Sequence, residues 1–233
     1  MDTNIEQLKE DNNEEGYFSG ASKKRAKNSY PTSVKVMACI TILSCLVTCF
    51  LLYKCFISKK KFSSFKELAE SRFSLRTFTQ QPVEQEKIDD LLRVAQVAPT
   101  AENRQPQKIY IITKEEDRKK IKEATKYHFN APLFFLVCVD KNIAWKHPTE
   151  EVYSTDIDGA IAITHITLEA CDLGLGSTIV RTFDTQKMKE LFGIPENMVP
   201  IALLPIGYPR KGVKIIPAVH YDRKDIKELA EYL

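Results

Sequence analysis

The chain has 233 residues, with 34 Lys and Arg against 31 Asp and Glu, a net charge of +3, 43% hydrophobic and 28% charged residues. This composition excludes a wholly disordered chain, a collagen and a coiled-coil rod. So balanced a charge is no footprint for nucleic acid, and no nucleic-acid partner is expected.

Residues 1–35 read as a disordered polar tail. Met1–Gly16 is rich in Asp, Glu and Asn, and a basic cluster follows at Lys23, Lys24, Arg25 and Lys27. Such a stretch has too little apolar surface to offset the entropy of ordering. Val36–Tyr53 carries no charge; as a helix it is about 27 Å long, close to the hydrocarbon thickness of a bilayer. Cys55–Ile57 extends it by a turn, so residues 36–57 are expected to form one transmembrane helix, flanked by Lys35 and Lys54. A buried soluble helix is the competing reading, and the basic clusters on both flanks favour the membrane. Lys59, Lys60 and Lys61 make residues 58–64 a basic linker, and basic residues on both sides leave the orientation open.

Cys39, Cys45, Cys49 and Cys55 lie in or beside the apolar run, where Cys49 and Cys55 are candidates for acylation. Cys138 and Cys171 lie beyond it. With no Cys-x-x-Cys pair and no zinc-spaced histidines, neither a metal nor a structural disulfide is expected.

Residues 65–233 alternate between helical and strand patterning, as a layered α/β or α+β domain does. The expected helices are Glu84–Val97, Glu115–Lys126, Asp156–Leu173, Asp184–Leu191 and Lys224–Leu233. The expected strands are Lys108–Thr113, Pro132–Val139, Ser177–Val180 and Pro200–Ile206. Asp156–Leu173 is apolar nearly all round and needs cover on several sides. A homodimer interface and a central core helix of a monomer satisfy that equally.

Four segments carry polar chemistry. In Ser71–Phe78 (SRFSLRTF), Arg72 and Arg76 with Ser74 between them can share one face of a helix end. Two guanidinium groups and a hydroxyl suit a phosphate dianion, and a solvated basic face is the plain alternative. Ala98–Pro106 (APTAENRQP) offers the amides of Asn103 and Gln105, able to read a ring edge bearing donors and acceptors. Asp172–Phe183 (DLGLGSTIVRTF) places its glycines between helix and strand, the reverse of a dinucleotide fingerprint. Leu204–Pro209 (LPIGYP) reads as a strand end and turn, and a basic tail with Arg223 and Lys224 follows. His128, His147, His165 and His220 have no spacing that demands a role.

RFSLR, APTAENRQP, EACDLGLGS and IGYP in this order resemble the FMN-dependent nitroreductase family over about residues 65–233. The resemblance implies an α+β fold: a three-layer α/β/α domain with a mixed central sheet, in an intertwined homodimer with FMN at the interface. It implies that Arg72, Phe73, Ser74 and Arg76 bind the FMN phosphate and the nearby ring oxygen, with Arg223 (or Lys224) completing the phosphate site. It further implies flavin contacts from Pro99, Thr100, Asn103 and Gln105, and backbone contacts from Arg181 and Thr182 to its reactive nitrogen. NADH or NADPH would donate hydride and a nitro-aromatic, quinone or related small acceptor would take it, in ping-pong order. Catalysis would rest on the flavin rather than on a protein nucleophile.

Two departures bear on substrate choice: Gln107 stands where the family often has an aromatic residue, and Arg181 where it often has a small one. A membrane-anchored reductive dehalogenase of the iodotyrosine deiodinase type is an alternative. Glu123 and Tyr127 match the first spacing of its substrate lid, but Ala131-Pro132 follows without room for the rest. A flavin-binding redox sensor without turnover is another. The protein is expected to be single-pass in the membrane, and NAD(P)H supply favours a cytosolic catalytic face.

Overall fold

The computed structural model describes residues 31–57, 62–215 and 220–233. The expected disorder of residues 1–30 and most of the basic linker fall outside them.

Two units are present, divided near Lys59. The first is the helix α1 (Thr32–Ile57). It starts four residues before the expected Val36, because the N–H groups of Val34 and Lys35 already bond to the Pro31 carbonyl (3.0 and 3.2 Å). Proline suits that place, where its missing N–H costs no helical bond. The hydroxyls of Thr41 and Thr48 turn back onto Met37 O (3.1 Å) and Ser44 O (2.8 Å), so polar groups are satisfied within the helix. Thr32–Phe50 has a mean hydropathy of 2.0 with none of it buried, long and apolar enough to cross a membrane.

The second unit is built on a four-stranded sheet of order β1-β2-β4-β3: β1 (Gln107–Ile112), β2 (Leu133–Asp140), β3 (Gly176–Ser177) and β4 (Met198–Gly207). All three pairings are antiparallel, where a mixed sheet was expected. β2 and β3 run in the same direction, but β4 lies between them and runs against both, so no neighbouring strands are parallel. Among the described residues, parallel pairing survives as one isolated bridge between Ser74 and Ser177.

β2 is buried along nearly its whole length, as a strand covered on both faces must be. One face sends Leu133, Phe135 and Val137 against α3 (Gln85–Gln96) and α5 (Thr155–Asp172), through Ile88, Leu91, Ile163 and Ile166. The other sends Phe134, Leu136 and Cys138 against α4 (Glu115–Ala124) and α6 (Thr185–Phe192), through Ile121 and Met188. The period-two alternation of a strand thus makes three layers.

Element ends follow local chemistry. Asp184 caps α6 by accepting from Lys187 N (2.9 Å), and Gly193 ends it in the left-handed conformation (φ 61°). The strand expected at Ser177–Val180 is shorter, with Val180 rejoining β4 at Leu203 through a separate bridge. The helix expected over Lys224–Leu233 shrinks to α7 (Ile226–Leu229), a single turn whose Ile226 and Leu229 are exposed. Without a packed face, so short a helix has nothing to extend it.

Candidate functional site

Residues 72–76 follow α2 (Phe65–Ser71), which ends at Arg72 with extended backbone (φ −65°, ψ 125°). The shared face of Arg72, Ser74 and Arg76 therefore comes from a strand's period of two rather than a helix end. Between them Leu75 is fully buried, and its N–H donates to Ser177 O (2.9 Å). Gly176 makes that approach possible: a Cβ there would lie 2.2 Å from Leu75 Cδ2.

Arg72, Ser74 and Arg76 line a cleft of about 200 Å3 with Lys214, His220 and Arg223. Among the described residues, no carboxylate lines it. The Phe73 ring meets His220 edge-on at 6.1 Å, which closes one wall. Three guanidinium groups, an ammonium and a hydroxyl form a donor set that fits a phosphate monoester, including that of FMN. Of the two basic residues left open by the sequence, Arg223 lines the cleft and Lys224 does not. Lys214 and His220 were missed. Lys214 belongs to a general run of basic residues, and a lone histidine carries no spacing signal.

The Pro99–Gln105 segment contains the 3-10 turn Ala101–Asn103 and three non-glycine residues at positive φ, Glu102 (52°), Asn103 (53°) and Gln105 (51°). Such backbone persists only where its surroundings over-determine it. Asp158 supplies part of that hold. It is 1% exposed and accepts from Ala101 N (3.0 Å) and from Ser154 Oγ (2.6 Å), while Ser154 Oγ accepts from Trp145 N (3.1 Å). Gln105 N donates to Thr100 Oγ1 (3.0 Å) and Gln105 Nε2 to Asn103 O (3.3 Å). Pro99 and Thr100 line a second, apolar hollow of about 460 Å3 with Trp145, Tyr153 and Ile157. Within one chain, Pro99, Thr100, Asn103 and Gln105 do not line the basic cleft.

Arg181 is exposed but lies back along β4. Its Nη1 donates to Pro200 O (3.0 Å) and Ile201 O (2.6 Å), and its Nη2 lies 3.5 Å from Asp156 Oδ1. Thr182 O accepts from Thr125 Oγ1 (2.7 Å). Together these bonds tie the loop after Val180 to β4, to the start of α5 and to the end of α4. Gln107 sends Nε2 toward Ala95 O (3.4 Å). Glu123 lies 4.0 Å from Lys187 of α6, and β2 starts six residues after Tyr127, at Leu133. Burial pushes the Cys138 thiol up to about 12, so it offers no thiolate nucleophile. Among the described residues, no cluster of His, Cys, Asp and Glu could hold a metal ion.

The nitroreductase family profile matches residues 69–132 and 128–208. A protein of Archaeoglobus fulgidus named as an NADH dehydrogenase/NAD(P)H nitroreductase is 31% identical over 147 residues, 60% of this chain and 82% of that protein. A Bacillus subtilis FMN reductase (NAD(P)H) is 30% identical over 162 residues, 62% of this chain and 65% of that enzyme. The crystal structure of a nitroreductase family protein from Clostridium difficile 630 superposes with a TM-score of 0.68 at 38% identity, covering 72% of this chain and 98% of that one.

Proposed function

Since the chain belongs to the nitroreductase family, we propose that it is a membrane-tethered oxidoreductase passing electrons to nitro-aromatic, quinone or related small acceptors in ping-pong order. It is an FMN-dependent NAD(P)H oxidoreductase, with NADH or NADPH as electron donor.

The observation that carries the reading is the carboxylate-free cleft of Arg72, Ser74, Arg76 and Arg223. These residues hold the cofactor's phosphate by charge-assisted hydrogen bonds. Bound FMN supplies the hydride chemistry. Arg76 contributes positive charge on the ring side, where it favours negative charge on the bound cofactor. The backbone N–H groups of Arg181 and Thr182 would stabilise negative charge on the bound ring, with Arg181 holding its own loop in place. The separation of Pro99, Thr100 and Asn103 from the cleft supports a homodimer in which one copy's loop completes the other's site.

The apolar helix α1 supports a single-pass anchor, and NAD(P)H supply supports a cytosolic face for the domain. Anaerobic stopped-flow of the FMN-loaded protein with NADH and then NADPH tests the function. Fast bleaching of the flavin absorbance by either donor, followed by recovery on adding a quinone, is the expected result. No bleaching by either, with dithionite reduction intact, refutes turnover on NAD(P)H.

A further inference from the structure

A second basic pocket lies away from the cofactor cleft, and no residue lines both. It has a volume of about 260 Å3, between α4 and the turn that leads into β2. Arg118, Lys119 and Lys122 of α4 supply three cations against the one carboxylate, Glu115. Glu115 is engaged by Lys119 at 2.9 Å, which holds its carboxyl below the usual range and keeps it ionised. Lys122 has no ion pair within 4.0 Å among the described residues, so two of the three cations are left without a close carboxylate.

Two details mark the pocket as more than a solvated face. First, Nε of Arg118 is buried and has no hydrogen-bond partner among the described residues, while its Nη1 makes only a long contact to Ala131 O (3.4 Å). A buried guanidinium donor left open is costly, and Arg118 lines the pocket, where a small shift of its side chain would bring that donor to an anion. Second, the far wall is a tight turn closed by Ala131 N donating to His128 O (3.2 Å), with Phe129 and Asn130 both at φ 51°. A bulky aromatic residue is strained in that region. The turn is held from outside by Gln80 Nε2 donating to Asn130 O (2.8 Å). It sets His128 into the pocket wall. Asn130 N donates to His128 Nδ1 (3.0 Å), so the ring's proton sits on Nε2, a donor. Burial and Lys122 lower the His128 pKa, so the ring is neutral near pH 7.

We propose that this pocket is a binding site for a phosphomonoester, held by Arg118 and Lys122 with His128 as a neutral donor. Guanidinium, ammonium and imidazole donors around one concave site match the three oxygens of such a group better than a single carboxylate. The phosphate can come from a small soluble metabolite or from an anionic lipid headgroup, and the pocket recognises the chemistry they share.

Calorimetry with sn-glycerol 3-phosphate tests the proposal on full-length protein in phosphatidylcholine nanodiscs. Loading with FMN and then removing the excess by gel filtration fills the cofactor cleft without leaving free FMN, itself a phosphomonoester, to compete at the second pocket. Saturable binding is expected, weakened at least tenfold by Arg118→Met and by Lys122→Met with FMN content unchanged. Lys122 is exposed, so its variant stays informative if Arg118→Met misfolds. Adding phosphatidic acid to the nanodiscs separates the sources. Loss of glycerol-phosphate binding identifies a lipid headgroup as the occupant, and unaltered binding identifies a soluble ligand. Absent binding, or binding that Lys122→Met leaves unchanged, overturns the proposal. A flavin site that failed the stopped-flow test would leave this result untouched.

Discussion

At the scale of single residues, the proposed cofactor cleft depends on cations tied only to nearby backbone, Arg76 to Ser74 O and Arg223 to Asp222 O. Arg72→Ala or Arg76→Ala is expected to weaken FMN binding by about 1.5–3 kcal/mol, the scale of a hydrogen bond to a charged group. Lys224→Ala should leave it unchanged. Fluorescence titration of the apoprotein checks all three, and an Arg76→Ala affinity equal to wild type would remove that residue from the site. Cys138 carries a pH prediction. Its thiol stays protonated in the fold up to about 12, while in the unfolded chain it ionises near 8.5. The folded state therefore gains nothing from it below that lower value and loses stability as pH rises above it, by up to about 1.4 kcal/mol per pH unit. Urea unfolding at pH 8 and pH 10 should show a larger drop for wild type than for Cys138→Ala. The residues legible in the sequence were those with a charge pattern, such as Arg72, Arg76 and Arg223. Asp158 was not. An acid in the first turn of a helix reads as a solvated end, and only the fold shows it 1% exposed and bonded to the loop at Ala101.

At the scale of elements, apolar periodicity placed each of the four strands and the long helices within a few residues. Burial against both faces of β2 enforces that pattern. It failed where tertiary contacts decide the conformation. Residues 72–76 are extended because Leu75 pairs with Ser177, a partner about 100 residues away that no local pattern reveals. The C-terminal helix shrank to one turn for the opposite reason, since Ile226 and Leu229 find no partner surface. Strand direction, too, depends on how α5, β3 and α6 route the chain, which periodicity does not encode. The Leu75–Ser177 contact yields a prediction. Gly176→Ala drives a methyl group into Leu75, with approaches of 2.2 and 2.8 Å to its side chain. Overpacking of this kind costs about 1–3 kcal/mol. Because Leu75 lies between Ser74 and Arg76, the variant should lose both thermal stability and flavin retention, read by a melting curve and by absorbance after gel filtration. Full retention of flavin would separate this contact from the cleft.

At the scale of the whole molecule, the two units have separate hydrophobic logic. Removing residues 1–61 takes away α1 and leaves the domain's buried clusters intact, so the truncated protein should be soluble without detergent and still yellow. Ultracentrifugation with absorbance detection reads both properties, and a colourless soluble product would give the N-terminal unit a part in cofactor binding. The order of strands also sets an order of events during synthesis. β2 sits between β1 and β4, and its pairing with β4 cannot be complete until Ile206 has been made. That point lies about 150 residues beyond the end of α1, roughly 8–30 s of translation at ordinary elongation rates. The first helix therefore leaves the ribosome while the rest of the chain is an unclosed sheet. As the proposed anchor, α1 would direct the chain to a membrane before the domain has a core, and the domain would complete its fold there.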